Sequence, residues 1–320
     1  MKKAFALLAA ALAALTAPLS RAEQPYPAKP VHFVVGAAPG GIVDVIARLL
    51  APKLSASWGQ PVIVENRAGA TGLMATKAVL RSAPDGYTVL VHATAVAVMP
   101  SLNADAGYRL EDLVPVIDAA SSPDTILAYP GLGATTLKQA IDKARSGKLT
   151  YSSPGAGTPP SLSADYLFKV LAKVNVTHVP YQGVAGAVGA GMSGEVQFVT
   201  LTAASARPQV KSGKLRPLVV MSSRRIALMP DVPTVAETGL PAFEDQTWVG
   251  FFLPAGSPRE AVARLNADIG RLLDTPDVRE RLAALGFDPV GGSPEQFEAF
   301  LKQESAKWAR IVKETGAKAY

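Results

Sequence analysis

Short apolar runs alternate with amphipathic segments along most of the chain. Val31–Val35, Pro61–Glu65 and Tyr87–Val91 are short runs rich in β-branched and other apolar residues. The first two are each followed by a glycine-containing turn and by a segment with helical spacing of apolar residues. Strands that alternate with helices at this spacing predict βαβ units and a parallel sheet.

The same pattern begins again further along. Leu149–Ser152 is a predicted strand that leads into the turn Pro154–Thr158 and a helix from Ser161 to Leu171. Other predicted strands are Thr125–Tyr129, Thr177–Pro180, Val196–Leu201, Leu215–Met221 and Thr247–Leu253, and predicted helices follow near Arg259–Leu273, Pro276–Leu285 and Pro294–Glu314. Because the arrangement occurs twice, we predict a two-lobed α/β protein with a C-terminal helical cover.

The N-terminus has a different pattern. Lys2 and Lys3 precede an apolar run from Ala4 to Ala17, and Ser20-Arg21-Ala22 supplies small residues at a cleavage site. A run of this length is short for a bilayer, which takes about 20 residues. We therefore predict a signal peptide over residues 1–22 with cleavage before Glu23, and a retained N-terminal anchor is the alternative.

Composition narrows the possible chemistry. The chain has no cysteine, which excludes disulfides, a thiolate nucleophile and a Cys-based zinc site. Without the signal peptide, 29 basic and 26 acidic residues remain, a formal charge of +3 that suits anionic solutes. Basic residues are scattered singly apart from Arg224-Arg225, so we expect no nucleic-acid partner.

Two strand–turn–helix junctions are the candidate binding sites. They are Gly36–Asp44 and Ser152–Ser161, and neither contains Lys, Arg or His. Glycines let the backbone approach a ligand, and a helix start presents unpaired N–H groups to an anion. We predict a carboxylate held by backbone N–H groups around Gly40-Gly41 and by Thr158; the alternative is that the glycines only form tight turns.

Nucleotide and enzyme motifs are absent. The first turn does not match G-x-G-x-x-G, and the sequence has no Walker motif, no G-x-S-x-G and no H-E-x-x-H. Among the three histidines, His92 follows the third predicted strand, where ligands of parallel sheets bind, so it is a candidate ligand contact. The alternative is a structural histidine, and acid–base catalysis by scattered carboxylates also stays open.

Several longer blocks carry a family resemblance. They are Tyr26–Pro30, Ala38–Gly41 with Asp44, Gly59–Arg67, Ala83–Thr88, His178–Gly183, Ser212–Arg216, Pro230–Gly239 and Leu253–Pro258. In these blocks, which occur in order over the mature chain, the protein resembles the Bug family, the extracytoplasmic solute receptors of tripartite tricarboxylate transporters.

The resemblance implies a two-lobed periplasmic binding protein of type II, with crossed strands, parallel or mixed sheets flanked by helices, and a ligand cleft between the lobes. Residues 23–121 and 247–320 would form lobe 1, and residues 122–246 lobe 2. The resemblance further implies a small carboxylate ligand, di- or aromatic, a small and a large integral membrane subunit as partners, no cofactor and no catalysis. We expect a monomer in the periplasm; a secreted α/β hydrolase or isomerase acting on a small organic acid is the alternative.

The resemblance also assigns ligand loops. Carried over residue by residue, they fall on Ala38, Gly40 and Gly41 in lobe 1 and on Ser153, Gly157 and Thr158 in lobe 2, with Thr94 in a third loop and Tyr181 and Gln182 near the cleft. Asp44 is expected to complement the helix start electrostatically, with ligand contact as the alternative.

Three positions depart from the family pattern. Ile42 stands where many relatives have Ser or Thr, Met99 stands where they have Asn, and Thr200 stands where they have Asp. Losing an acid and two small polar groups favours an apolar or aromatic carboxylate over an amino acid or a tricarboxylate. We therefore add Ile42 and Thr200 to the predicted site; the alternative is that these side chains only pack.

Overall fold

The computed structural model describes residues 26–103 and 105–318, so the predicted signal peptide lies outside the described residues. The strands are β1 (Val31–Val35), β2 (Val62–Asn66), β3 (Thr88–Ala93), β4 (Leu113–Ala128), β5 (Leu149–Ser153), β6 (Val176–Pro180), β7 (Phe198–Thr202), β8 (Arg216–Val220), β9 (Gln246–Pro254) and β10 (Asp288–Gly291). The helices are α1 (Ile42–Trp58), α2 (Leu73–Leu80), α3 (Ala95–Leu102), α4 (Leu137–Ser146), α5 (Pro159–Asp165), α6 (Val184–Ser193), α7 (Ala203–Lys211), α8 (Arg259–Leu273), α9 (Pro276–Leu285) and α10 (Pro294–Thr315). A π-helical segment, Tyr166–Leu171, continues α5.

The strands form one mixed sheet that changes character along β4. The order is β2-β1-β3-β9-β4-β7-β5-β6, with β10 and β8 also paired to β4. Strands β2, β1 and β3 are parallel to one another, as are β6, β5 and β7, whereas β4 and β9 run antiparallel to their neighbours. The sheet therefore contains two parallel groups joined by antiparallel strands, a mixed α/β arrangement.

Strand β4 belongs to both halves of the sheet. Its residues 113–123 pair with β9, and residues 124–128 pair with β7 and β8. We call the half that contains β1, β2, β3, β9 and β10, with its helices, lobe 1, and the half that contains β5, β6, β7 and β8 lobe 2. The residue boundaries expected above for the two lobes stay a prediction.

The last helix packs on both lobes. Its start is fixed by a capping box, in which the Ser293 hydroxyl accepts from Gln296 N–H and the Gln296 side chain accepts from Ser293 N–H. Along its length α10 contacts α3 and β4, and it also contacts α5 and its π-helical continuation. Trp308 and Ile311 are fully buried in a core cluster that includes residues of both lobes. Helix α10 therefore stabilises the junction between them.

The lobes also meet at glycines. Gly286, the left-handed C-cap of α9, lies so close to the start of α7 that a Cβ would stand 2.6 Å from Ala204 Cα. On another side, a Cβ on Gly157 would stand 2.6 Å from Leu102 Cδ2, at the end of α3. At both places, only the absence of a side chain allows the two lobes to approach this closely.

Candidate functional site

The candidate site lies where the parallel strands end. Each of β1, β2, β3, β5, β6 and β7 is followed closely by the start of a helix. The pairing register brings the ends of β3 (Ala93) and β7 (Thr202) near residues 120–124 of β4. Ligands of open α/β sheets bind at the carboxyl ends of the strands, where helix starts concentrate N–H groups and positive potential. The structure thus provides converging anion-binding elements from both lobes.

The turn after β1 is organised around Asp44. Its buried carboxylate accepts hydrogen bonds from Gly40 N–H (2.8 Å), Arg48 Nε (2.8 Å) and Asn66 Nδ2 (2.8 Å). Burial alone would raise the pKa of Asp44, but these hydrogen bonds outweigh it and hold the pKa below its usual value. Asp44 therefore supports the turn and the helix start electrostatically.

This arrangement changes which N–H groups can meet a ligand. Gly40 N–H is engaged by Asp44, and Gly41 N–H donates to Ala38 O at 3.1 Å. No side chain caps the start of α1, and the first intrahelical bond is from Val45 N–H to Gly41 O, so the N–H groups of Ile42, Val43 and Asp44 are left without an intrahelical partner. Ala38 and Gly40 are exposed, and Ile42 is half-buried. The N–H groups that are free to meet a ligand therefore lie after Gly41, and not at the Gly40 and Gly41 amides that the sequence predicted.

The turn after β5 is held by two hydroxyls. Ser153, which is fully buried, places its Oγ 2.9 Å from Gly155 O and 2.7 Å from Nε2 of His178. The Thr158 hydroxyl donates to the same Gly155 O at 2.8 Å. Residues 154–158, which include Gly157 and Thr158, are all half-buried, so the whole turn is partly accessible.

Two prolines remove the expected donors at α5. Pro159 and Pro160 are its first two residues and have no N–H, and Ser161 N–H donates to Thr158 O at 2.9 Å. The first turn of α5 therefore offers an anion no free amide at these positions. Side-chain hydroxyls and the preceding loop N–H groups are the donors that remain here.

The turn after β6 supplies the amides that α5 lacks. Gly183, with φ +92°, begins α6 without a side-chain cap, so the first N–H groups of the helix have no intrahelical partner. Next to it, Gln182 is exposed, and Tyr181 is half-buried with its hydroxyl donating to Glu195 at 2.7 Å. The loop is tied to β5 by the hydrogen bond from Tyr181 N–H to Ser153 O.

Three of the predicted residues lie behind the turns. His92 is 3% exposed, packs against Gly36 and Gly72, and has its pKa lowered by burial. The Thr94 hydroxyl is buried and accepts from Trp248 N–H at 2.9 Å, and the Thr200 hydroxyl donates to Pro160 O at 3.0 Å. Their ligand contacts stay a prediction; what the structure shows is that they pack behind the surface residues of the turns.

The loop after β2 was not part of the site predicted from the sequence. Gly69, Ala70, Thr71 and Gly72, after β2, all have positive φ angles between 47° and 128°. Non-glycine residues in this region are strained, and such strain clusters at ligand-binding sites. The sequence signal was the Gly69–Gly72 spacing immediately after a predicted strand.

Within residues 26–103 and 105–318, no group of three or more histidines and carboxylates is arranged to hold a metal ion. In the same part of the chain, no helix combines the length and the apolar character that crossing a bilayer requires.

Fold and site together define a class of protein, the two-lobed solute-binding receptor with a cleft between α/β lobes. A family model described as "Tripartite tricarboxylate transporter family receptor" matches residues 46–317. Protein BugT of Bordetella pertussis is 37% identical over 313 residues, which cover 96% of this chain and 95% of BugT. The chain belongs to this receptor family, the Bug family.

Solved structures agree with this assignment. Periplasmic binding protein BugD has a TM-score of 0.80 at 30% identity, covering 92% of this chain and 99% of its own. R. palustris Rpa4515 with adipate has a TM-score of 0.82 at 31% identity, covering 92% and 99%. MatC from Rhodopseudomonas palustris with bound malate has a TM-score of 0.79 at 32% identity, covering 90% and 100%.

These relatives decide between the two classes left open by the sequence. The family and its structural neighbours are solute-binding receptors and not enzymes. The hydrolase or isomerase alternative is therefore wrong, and the prediction of a Bug-family binding protein of the two-lobed α/β class is confirmed.

Proposed function

We propose that this receptor binds a small carboxylate between its lobes and delivers it to the membrane subunits of a tripartite transporter. The supporting observation is the convergence of uncapped helix starts, at α1 of lobe 1 and α6 of lobe 2, where six parallel strands end. Such starts bind carboxylates through N–H groups without a charged side chain. Relatives whose structures hold adipate and malate support the same ligand class.

The body of the ligand is apolar in this proposal. Among the described residues, four large apolar side chains are exposed, and two of them, Met74 and Val184, stand at the starts of α2 and α6. Ile42 adds a third apolar side chain at the start of α1. Apolar side chains next to amide donors favour an aliphatic dicarboxylate or an aromatic carboxylate over a strongly polar tricarboxylate.

Location and partners follow from the same proposal. The receptor acts in the periplasm after removal of residues 1–22, works as a monomer, and presents the closed, ligand-bound form to a small and a large membrane subunit. The site residues are those predicted in the turns after β1 and β5. The N–H groups of Ile42 and Val43 and the hydroxyl of Thr158 lie closest to the carboxylate in this proposal.

Titration with a panel of adipate, malate, benzoate and citrate tests the proposal. Trp248 reports on the hinge because it pairs with Ser121 of β4 and its indole N–H donates to Glu304 of α10, the helix that packs on both lobes, so ligand-driven closure should change tryptophan fluorescence. Calorimetry on the same samples gives affinity, and mass spectrometry before and after incubation shows whether the ligand is altered.

Saturable binding of an adipate- or benzoate-like carboxylate, recovered unchanged, is the expected result. Citrate should bind at least tenfold more weakly. No binding of any member, or binding only of cations and neutral sugars in a parallel panel, would contradict the proposal.

A further inference from the structure

His178 is half-buried next to the turn after β5. It lies on β6 opposite Tyr151 of β5, and the two rings stack with centroids 4.6 Å apart and planes 12° apart. Its Nε2 is 2.7 Å from the hydroxyl of Ser153, two residues further along β5. The imidazole is therefore held in one orientation, with one nitrogen aimed at a single hydroxyl.

The hydroxyl of Ser153 cannot satisfy all its neighbours in every protonation state. It has one hydrogen and two lone pairs, and its neighbours are His178 Nε2, Gly155 O and Gly155 N–H at 3.3 Å. If Nε2 has no hydrogen, Ser153 donates to it, and Gly155 O depends on Thr158. If Nε2 carries a hydrogen, Ser153 accepts from it and donates to Gly155 O.

Whether Nε2 of His178 carries a hydrogen decides what the Thr158 hydroxyl can do. Its hydroxyl hydrogen is given to Gly155 O at 2.8 Å, and the remaining bond to that oxygen, from Thr158 N–H, is long at 3.4 Å. When Thr158 turns its hydroxyl toward a ligand, Gly155 O keeps a short hydrogen bond only if Ser153 supplies one, and leaving a half-buried carbonyl without a partner is costly.

We propose that His178 is a positioning residue, which donates from Nε2 to Ser153 and thereby frees the Thr158 hydroxyl to bind a carboxylate. The inference rests on the proposed function. Binding of the anion then favours a ring with a hydrogen on Nε2, which the imidazolium always has and the neutral ring has in only one of its two tautomers. By linkage, a lower pH therefore favours binding.

The charged groups around His178 do not provide another explanation for a pH-dependent affinity. Asp165 of α5 and Lys169 of the π-helical segment are the charged groups that act on it, and they pair with each other at 2.9 Å. Tyr151, stacked on the ring, donates its hydroxyl to Asp165. Burial lowers the pKa of His178, so the free protein holds the ring neutral near pH 7. Binding then requires a hydrogen on Nε2, which is supplied by a change of tautomer or by uptake of a proton.

The experiment measures the dissociation constant from pH 5 to 8 for the carboxylate of the panel that binds most tightly. We expect wild type to bind more tightly at low pH, by about tenfold for each unit by which the ligand raises the pKa of His178. His178→Gln supplies an N–H donor that does not titrate, so it should bind well at all pH values with a flat profile relative to wild type. Ionisation of the ligand itself enters both profiles equally.

His178→Phe separates a positioning role from a structural one. It keeps the stack on Tyr151 but has no donor, so it should bind about as weakly as Thr158→Val, and the double variant should be no weaker than either. The control His32→Gln removes a histidine of lobe 1 that pairs with Glu65, and it should keep the wild-type pH profile.

With three histidines in the chain, proton NMR can follow each ring directly, and the pKa of His178 should rise when ligand is added. A His178→Gln profile equal to wild type, an additive double variant, or an unchanged His178 pKa would overturn this inference alone. Absence of carboxylate binding to wild type at every pH would overturn the proposed function, and this inference with it.

Discussion

At the scale of single residues, Thr158 is the position at which the anchor can be tested. Its hydroxyl is expected to turn from Gly155 O to the ligand, and a hydrogen bond to a charged group contributes roughly 1.5–3 kcal/mol. Because one bond is exchanged for another, we expect Thr158→Val to weaken carboxylate binding by about tenfold, the lower end of that range. Calorimetry gives the ratio, and Thr158→Ser, which keeps the hydroxyl, is the control. An affinity of Thr158→Val within about twofold of wild type would make Thr158 a packing residue.

The sequence predicts the turns but not their hydrogen bonds. Gly40 and Thr158 were predictable because glycine- and hydroxyl-containing turns after apolar runs are local patterns. That Asp44 takes the Gly40 N–H could not be predicted, since the position of its carboxylate depends on Asn66 at the end of β2. The missing donors at Pro159-Pro160 could be predicted from the sequence, because proline has no N–H.

At the scale of elements, local sequence signals decided what was predictable. The last three helices begin and end within a residue of their predicted bounds, because prolines, a capping box and glycine C-caps mark their ends. Strand β10, by contrast, escaped prediction, since its four residues are stabilised by pairing with β4 and not by their own pattern. Helices α6 and α7 were also missed, as glycine, alanine and proline obscure their periodicity.

The junction of β4 and β9 contains a buried pair of acids. Asp124 and Asp245 are each at most 1% exposed; Lys307 lies 3.1 Å from Asp245, and Asp124 Oδ2 has no hydrogen-bond donor. Burial and the neighbouring Asp245 raise the pKa of Asp124 well above its usual value. The folded protein therefore holds a proton on Asp124 that the unfolded chain releases above about pH 4.

The raised pKa of Asp124 makes the folded protein less stable as the pH rises. Stability is lost as pH rises from about 4 toward the folded pKa of Asp124, by up to about 1.4 kcal/mol per pH unit. Asp124→Asn keeps the shape and does not titrate, so it should lose less stability than wild type between pH 5 and 9 in urea unfolding. Asp142→Asn, on the exposed surface of α4, is the control. Parallel profiles for wild type and Asp124→Asn would show that Asp124 is ionised in the folded state.

The contact between α9 and α7 gives a second test. Gly286→Ala adds a Cβ at 2.6 Å from Ala204 Cα as well as left-handed strain, whereas Gly316→Ala, with φ +69°, meets nothing within 4 Å. We expect Gly316→Ala to cost about 1–2 kcal/mol from strain and Gly286→Ala about 1–3 kcal/mol more from overpacking. Denaturant unfolding gives both values; equal losses would mean that the lobes separate there at no cost.

At the scale of the whole molecule, the strand shared by two half-sheets predicts rigid-body motion. Strand β4 passes from one half to the other at residues 123–124, where β9 begins its pairing, so rotation about this point moves the lobes without breaking either sheet. Addition of the tightest carboxylate of the panel should reduce the radius of gyration in small-angle scattering, toward about 19 Å for a compact chain of 298 residues. Thr158→Val at saturating ligand is the control. A radius unaffected by ligand would indicate a preformed cleft.

The predicted signal peptide has its own measurement. N-terminal sequencing of protein from the periplasmic fraction should begin at Glu23, since Ser20 and Ala22 are small residues at the positions a signal peptidase recognises. Ala22→Arg should block cleavage, whereas Arg21→Lys should not. Recovery of the full-length wild-type chain in the membrane pellet would favour a retained anchor.

The position of β9 in the sheet has a consequence for how the chain folds. Strands β3 and β4 are neighbours in sequence, yet β9, which ends at Pro254, lies between them and pairs with both. The central part of the sheet therefore cannot close until about four-fifths of the polypeptide has been made, and contacts of such long sequence separation form slowly. A chain that cannot complete its core until this late in synthesis stays unfolded for longer, and passage through an export channel requires an unfolded chain.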